Sequence, residues 1–168
     1  MKKILVLFAA ACCLFVACQK ENSLKEVDDV CTKMDDSRFM KYCYENFDVN
    51  NDGKVSMQEA AAVKRIECYG EGITSLKGIE YFTTITYLRC HDNKLTSLDV
   101  SKNTQLSTLW CSSNHLTSLD VSKNILLVEL WCKFNDLTSL DVSKNINLQS
   151  FSYNPQNNYL YITPTGWN

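Results

Sequence analysis

A chain of 168 residues, 45% hydrophobic and 21% charged, has material for one globular unit and is too polar for a polytopic membrane protein. Lys and Arg number 17 against 19 Asp and Glu, without the basic surplus that a phosphate backbone demands, so nucleic acid is excluded as a partner. Two His and five Gly leave little for a His-rich metal centre or a Gly-rich phosphate loop, and the nine Cys take their meaning from where they fall.

Met1-Lys2-Lys3 is a short basic start, and Ile4 to Ala17 is an unbroken run of apolar and small residues. This is a secretory leader, too short to span a bilayer stably. It stops at Leu14-Phe15-Val16-Ala17-Cys18, and polarity begins at Gln19-Lys20-Glu21-Asn22. The junction resembles a bacterial lipoprotein signal, which implies cleavage before Cys18 and a lipid on its thiol; Phe15 departs from the usual Leu. The Cys-Gln-Lys-Glu start is similar to the export tag of some Gram-negative surface lipoproteins. The resemblance implies a lipid-anchored outer-membrane protein at the cell surface, with residues 1–17 as leader and 18–34 as anchor linker and short helix.

Leu24, Val27, Cys31 and Met34 follow at helical spacing, and a second stripe of Phe39, Tyr42 or Cys43, and Phe47 comes after the cluster Asp35-Asp36-Ser37, which suits an N-cap. The next twelve residues, Asp48 to Glu59, match an EF-hand loop. Asp48, Asn50 and Asp52 supply side-chain oxygens, Lys54 its carbonyl, Ser56 a contact through water and Glu59 both carboxylate oxygens, so Ca2+ is the expected cofactor. Gly53 makes the sharp turn. Val55 is the β-like residue that usually packs on a partner loop, although no partner loop is visible. Glu59 to Glu67 is rich in helix formers and is expected to be the exiting helix, which makes 35–69 a helical cap.

Leu95-Thr96-Ser97-Leu98-Asp99-Val100-Ser101-Lys102-Asn103 recurs at 116–124 and 137–145, a period of 21 residues. Between copies run Ile85-x-x-Leu88-x-Cys90-x-x-Asn93, Leu106-x-x-Leu109-x-Cys111-x-x-Asn114 and Leu127-x-x-Leu130-x-Cys132-x-x-Asn135. This is the leucine-rich-repeat signature, occurring twice per coil. The fold class is therefore mainly β, a parallel solenoid over 70–155 with an N-terminal helical cap, and short strands are expected on both flanks. One coil cannot offset the entropy of ordering itself, so stacking is obligatory. The irregular segment Gly70 to Phe82 reads as a first repeat, and 156–168 as a closing strand or tail. The cap and repeats together resemble the internalin family over roughly residues 35–153, although internalin repeats are 22 long with a more helical second side. Closer still is the 21-residue class of leucine-rich-repeat lipoproteins of Gram-negative bacteria.

Cys90, Cys111 and Cys132 share one repeat phase and should stack as an inward, inert ladder. Two of Cys31, Cys43 and Cys68, placed in the helical part, have the chance to pair in an oxidising compartment. The outward positions of the variable strand are Tyr87, Arg89 and His91, then Thr108, Trp110 and Ser112, then Glu129, Trp131 and Lys133. Tyr87, Arg89, Trp110 and Trp131, with Phe134 close by, have the composition of a binding surface. The other flank repeats Thr-Ser-Asp, stacking Asp99, Asp120 and Asp141 beside Lys102, Lys123 and Lys144 as a solvated face. His91 and His115 sit at different repeat phases without orienting partners, so no enzyme is expected. Three roles remain: a module recognising a protein, a glycan-binding lipoprotein for nutrient capture, and a structural envelope protein.

Overall fold

The computed structural model describes residues 29–153 and the two-residue strand Leu160–Tyr161. The leader, Cys18 and most of the expected tail lie outside these residues, as do Leu24 and Val27 of the first apolar stripe. Cys31 and Met34 of that stripe are buried, but the local structure is a single 3-10 turn, Val30–Lys33, capped by the Asp29 carboxylate. Two α-helices follow, α1 (Ser37–Phe47) and α2 (Met57–Ala62). Phe39, Cys43 and Phe47, four residues apart, form the buried stripe of α1.

Within the Asp35-Asp36-Ser37 cluster, Asp36 is the N-cap. Its Oδ1 accepts from the N–H groups of Arg38 and Phe39, while Oδ2 accepts from the N–H and hydroxyl of Thr74. One buried carboxylate thus starts α1 and clamps the cap to the first coil. Burial opposes its charge, but the Thr74 hydroxyl and the three N–H groups win, and its pKa lies below the ordinary carboxylate value.

α2 is shorter than expected, and part of the predicted exiting helix is a strand, β1 (Arg65–Glu67). The cause is the alternation Arg65-Ile66-Glu67-Cys68. Ile66 and Cys68 are buried while Arg65 is exposed, a period of two that packs on the sheet and overrides helix propensity. The first coil therefore begins within the segment read as cap.

The repeats build one parallel sheet in the order β1, β2 (Tyr87–Arg89), β3 (Thr108–Trp110), β4 (Glu129–Trp131) and β6 (Ser150–Ser152). Their register aligns Ile66, Leu88, Leu109, Leu130 and Phe151 across the five strands. The second flank differs from expectation. Among the described residues the strands there are β5 (Leu140–Asp141) and its partner β7 (Leu160–Tyr161), and the equivalent segments at 98–100 and 119–121 form no ladder. In every copy, the strand at 140–141 included, the outward Asp accepts from the N–H of Ser101, Ser122 or Ser143 at 2.8–2.9 Å, so this bond accompanies the turn that follows; the copy at 140–141 differs in having β7 beside it to pair with. The Asp–Ser bonds lead the causes that hold Asp99, Asp120 and Asp141 below the ordinary carboxylate pKa.

Between the flanks, Leu106, Leu109, Cys111, Leu116, Leu119 and Val121 fill the interior of one coil, as predicted for the repeat. Two rows of Asn tie the coils together. Asn93, Asn114 and Asn135 each donate Nδ2 to carbonyls of their own and the preceding coil, and their Oδ1 accepts from the N–H of Ile73, Leu95 and Leu116. Asn103, Asn124 and Asn145 donate Nδ2 to two carbonyls of the preceding coil, yet their buried Oδ1 atoms have no partner among the described residues. Among the described residues no helix is long and apolar enough to cross a membrane.

Candidate functional site

Because side chains alternate along a strand, the residues flanking each buried Leu project from the sheet face. Register brings Glu67, Arg89, Trp110, Trp131 and Ser152 into one row, and Arg65, Tyr87, Thr108, Glu129 and Ser150 into the row beside it. Four of the predicted surface residues, Tyr87, Arg89, Trp110 and Trp131, are thereby brought together. The Arg65 guanidinium lies 3.8 Å over the Tyr87 ring, and that of Arg89 lies 3.9 Å over Trp110. Trp110 stacks on Trp131 with ring centroids 5.1 Å apart and planes at 27°. Glu67 binds both cations, Arg65 at 2.8 Å and Arg89 at 3.4 Å, and the Trp110 indole N–H donates to Glu129 at 3.3 Å.

The two indoles are not equivalent. Trp110 is half-buried between Arg89 and Trp131, whereas Trp131 is 41% exposed at the end of the stack. Phe134 is 66% exposed and adopts φ 55°, the left-handed conformation that Asp92 and Ser113 adopt at the same point of their coils. Because the conformation recurs coil after coil it belongs to the repeat's turn, and a bulky ring there costs roughly 1–3 kcal/mol. Thr108 is buried, and Lys133 is exposed. His91 stacks on Tyr69 at 4.7 Å, and His115 lies 3.8 Å from Asp136 at the surface, so the two histidines serve separate local contacts.

Reading the sequence missed Arg65, Glu67 and Tyr69 as part of this face, because β1 was read as helix. The signal was present: Ile66-x-Cys68 precedes Leu88-x-Cys90 as one coil precedes the next, and Ile73-Thr74-Ser75-Leu76 repeats the Leu-Thr-Ser-Leu phrase. For the same reason the thiol row is longer than predicted. Cys68, Cys90, Cys111 and Cys132 form it, all buried, with the N–H of Cys68, Cys90 and Cys111 bonded to the carbonyls of Arg89, Trp110 and Trp131. Burial pushes the thiols of Cys68 and Cys132 up to about 12 and those of Cys90 and Cys111 well above their ordinary value, which leaves no thiolate for chemistry. Cys31 and Cys43 are both buried in the cap, and with Cys68 they are free thiols, so none of the three is paired with another.

The predicted calcium loop lies between α1 and α2. Gly53 takes φ 80°, and Asp48 accepts from the N–H groups of Asp52 and Gly53 at 3.1 and 2.9 Å. Asn50 and Asp52 accept from the N–H groups of Asp52 and Lys54. Val55, the position that would face a partner loop, is instead engaged by the chain's own N-terminal segment: Val30 N–H donates to its carbonyl at 2.9 Å, and its N–H donates to Asp29 at 3.2 Å. Glu59 closes the loop as a capping box with Ser56 and also accepts from the N–H groups of Val49 and Asn50. The donor set is all oxygen and suits a hard cation, although among the described residues no three His, Cys, Asp or Glu side chains gather as a metal cluster.

On the second flank, a depression of about 280 Å³ between Ser75, Lys77, Glu80, Asp99 and Lys102 mixes both charges and offers no convergent set of groups.

No protein-family model matches the sequence. Internalin J of Listeria monocytogenes is 39% identical over 69 residues, which is 41% of this chain and 8% of that protein. Among solved structures, the functional domain of InlJ from Listeria monocytogenes, described as including a cysteine ladder, superposes with a TM-score of 0.69 at 36% identity, covering 73% of this chain and 27% of that one. Two further internalins of the same species, InlF and InlC2, give TM-scores of 0.63 and 0.60 at 17% identity, covering 79% and 76% of this chain and 47% and 68% of theirs. These two speak to the fold alone. The chain has an internalin-like leucine-rich-repeat fold and spans only 8% of internalin J and 27% of the InlJ domain.

Proposed function

We propose that the chain is a surface-displayed, calcium-stabilised recognition module that binds a protein partner through the parallel-sheet face. The observation that carries this reading is the row of Arg89, Trp110 and Trp131. Outward residues differ from coil to coil on this flank, while the Thr-Ser-Asp flank repeats unchanged and spends its carboxylates on its own turns. A stacked face of large aromatic and guanidinium groups supplies contact area at low entropic cost, and such residues are the commonest interface anchors. Internalin-like architecture supports the reading, since a solenoid offers a broad, rigid surface.

Lipidation at Cys18, with outward display on a Gram-negative outer membrane, belongs to the same proposal and rests on the leader and the Gln-Lys-Glu tag. Calcium belongs to it through the all-oxygen donors Asp48, Asn50, Asp52, Lys54 (carbonyl), Ser56 and Glu59, with Glu59 exchanging backbone N–H partners for the ion. The ion's role is to hold the cap closed over the first coil. At tenfold excess over Kd it adds about 1.4 kcal/mol to stability. Melting in calcium and in chelator, with Glu59→Gln as control, measures this gain; equal melting temperatures together with no heat of binding would reject the site.

Screening the lipid-free chain against protein and glycan arrays tests the recognition face. A protein ligand should lose at least tenfold in affinity, about 1.4 kcal/mol, with Trp131→Ala and much less with Asp99→Ala or Asp120→Ala. The reverse order moves the site to the Thr-Ser-Asp flank, and hits confined to glycans make the nutrient-capture reading the better one.

A further inference from the structure

We infer that the segment Asp29–Met34 serves as the partner of the calcium loop, in the place of a second EF-hand loop, and that Asp29 raises the loop's affinity for calcium through the Lys54–Val55 peptide. This rests on the loop being a calcium site and assigns it a positioning residue from outside the loop.

Val55 is fully buried, so its N–H and C=O both need partners. One short stretch upstream supplies them. The Val30 N–H donates to the Val55 carbonyl at 2.9 Å, and the Val55 N–H donates to Asp29 Oδ1 at 3.2 Å. The second acceptor is a carboxylate rather than a backbone carbonyl, and it is fixed from two further sides. Its Oδ1 also accepts from the Cys31 N–H at 3.0 Å, which caps the 3-10 turn, and its Oδ2 accepts from the Tyr44 hydroxyl of α1 at 2.6 Å. Val30 and Cys31 beside it are buried. The segment is therefore built into the cap at the one loop residue that a partner loop would meet.

The link to calcium is a shared peptide group. Lys54 offers its carbonyl to the ion, and that carbonyl is conjugated with the Val55 N–H. A charged acceptor on the N–H drives electron density toward the carbonyl oxygen and makes it a better ligand, while a cation on the oxygen makes the N–H a stronger donor. At 3.2 Å the bond to Asp29 has room to shorten when the ion draws on the carbonyl. On the other side of Val55, the Ser56 N–H donates to Glu59 Oε2 at 2.8 Å, so the docked residue sits between two ligand-bearing parts of the loop. Coupling of this kind is reciprocal: calcium tightens the docking of the segment by the factor by which the docked segment tightens calcium. Since the segment joins Cys18 to the cap in sequence, calcium fastens the folded module to its tether.

The experiment titrates calcium into the 15N-labelled lipid-free chain, following the Gly53 and Val55 amide resonances, and measures amide hydrogen exchange with and without the ion. Asp29→Ala should weaken calcium at least tenfold. Asp29→Asn keeps an acceptor for the Val55 N–H but gives up the charge, and it should recover at least threefold of that loss. Saturating calcium should slow exchange of the Val30 amide at least threefold in the parent and leave it unchanged in Asp29→Ala; if that variant does not fold, the parent's Val30 exchange decides alone. Equal calcium affinity in the parent and Asp29→Ala, Asp29→Asn binding no better than Asp29→Ala, or Val30 exchange indifferent to calcium overturns the coupling and leaves the calcium site standing. A parent without any calcium response rejects the site itself, and this inference with it.

Discussion

Replacing Asn114 by Ala and, separately, Asn124 by Ala perturbs two residues of the same type, depth and repeat, yet the structure assigns them different costs. Asn114 accepts from the Leu95 N–H at 3.0 Å and donates to the carbonyls of Cys90 and Cys111. Those carbonyls retain a second donor in its absence, Asn93 for Cys90 and Asn135 for Cys111. The Leu95 N–H has no replacement and is left bare in the core, a penalty of about 1–3 kcal/mol, and two lost bonds add about 1 kcal/mol each. Asn114→Ala should thus cost about 3–5 kcal/mol. Asn124 donates to the carbonyls of Val100 and Asn103, each of which keeps a backbone donor, Asn103 N–H and Leu106 N–H, and its own Oδ1 is unpaired. Removing it strands no donor and relieves one orphaned acceptor, so Asn124→Ala should cost only about 1–2 kcal/mol. Urea unfolding followed by circular dichroism measures both. Equal costs, or the reverse order, would show that the bare Oδ1 row is satisfied in solution and that donor counting does not rank these positions.

Asp36→Ala should cost about 2–4 kcal/mol, from the lost N-cap and the lost Thr74 clamp. Because the folded pKa of Asp36 is depressed, its stabilisation is full above the unfolded carboxylate pKa and is lost as pH falls through the folded one. The variant's acid unfolding curve should accordingly be flatter than the parent's below about pH 4, and parallel curves would refute the clamp. Cys111→Ser should destabilise by about 1–3 kcal/mol by placing a hydroxyl in an apolar row, while the ladder thiols stay unreactive to an alkylating reagent until denaturant is added; alkylation of native protein at Cys90 or Cys111, read by mass spectrometry, would contradict the burial. Mass spectrometry of the mature N-terminus should find an acylated Cys18, and an unmodified terminus elsewhere would remove the anchor.

What the sequence made legible was whatever repeats or follows a local rule. The Leu, Cys and Asn phases are set by a period of two within strands and by the coil length, and the capping role of the Asp35-Asp36-Ser37 cluster follows from short-range hydrogen bonding. The strand Arg65–Glu67 was hidden because three alternating residues directly after an Ala-rich helix carry little local weight, and only packing against Tyr87–Arg89 decides their conformation. The second flank was misjudged for a related reason. Its Leu-x-Val alternation is a genuine strand pattern and every copy carries the same Asp–Ser bond, but among the described residues only the copy at 140–141 has a neighbour, β7, with which it forms a ladder. Long-range contacts were out of reach altogether: neither the Thr74 clamp on Asp36 nor the pairing of Val30 with Val55 leaves a trace in spacing. Among the surface residues, the Trp pair was predictable from phase, whereas the unequal exposure of its members depends on Arg89 and Ser152 in neighbouring coils.

The junctions between coils are interchangeable. Ser107 N–H meets the Thr86 carbonyl, Val128 N–H meets that of Ser107, and Gln149 N–H meets that of Val128, each at 2.8 Å. A gene rearrangement that deleted or copied one whole unit would rejoin like bonds to like, with no new seam to optimise. Such a lineage is able to lengthen or shorten its exposed face by whole coils without passing through an unfoldable intermediate. What changes at each event is which outward residues become neighbours: excising one unit would set Arg89 beside Trp131 in a single step. Diversity in this architecture can therefore arise by shuffling rungs as well as by point substitution, and comparing coil order among close variants would reveal which route has been taken.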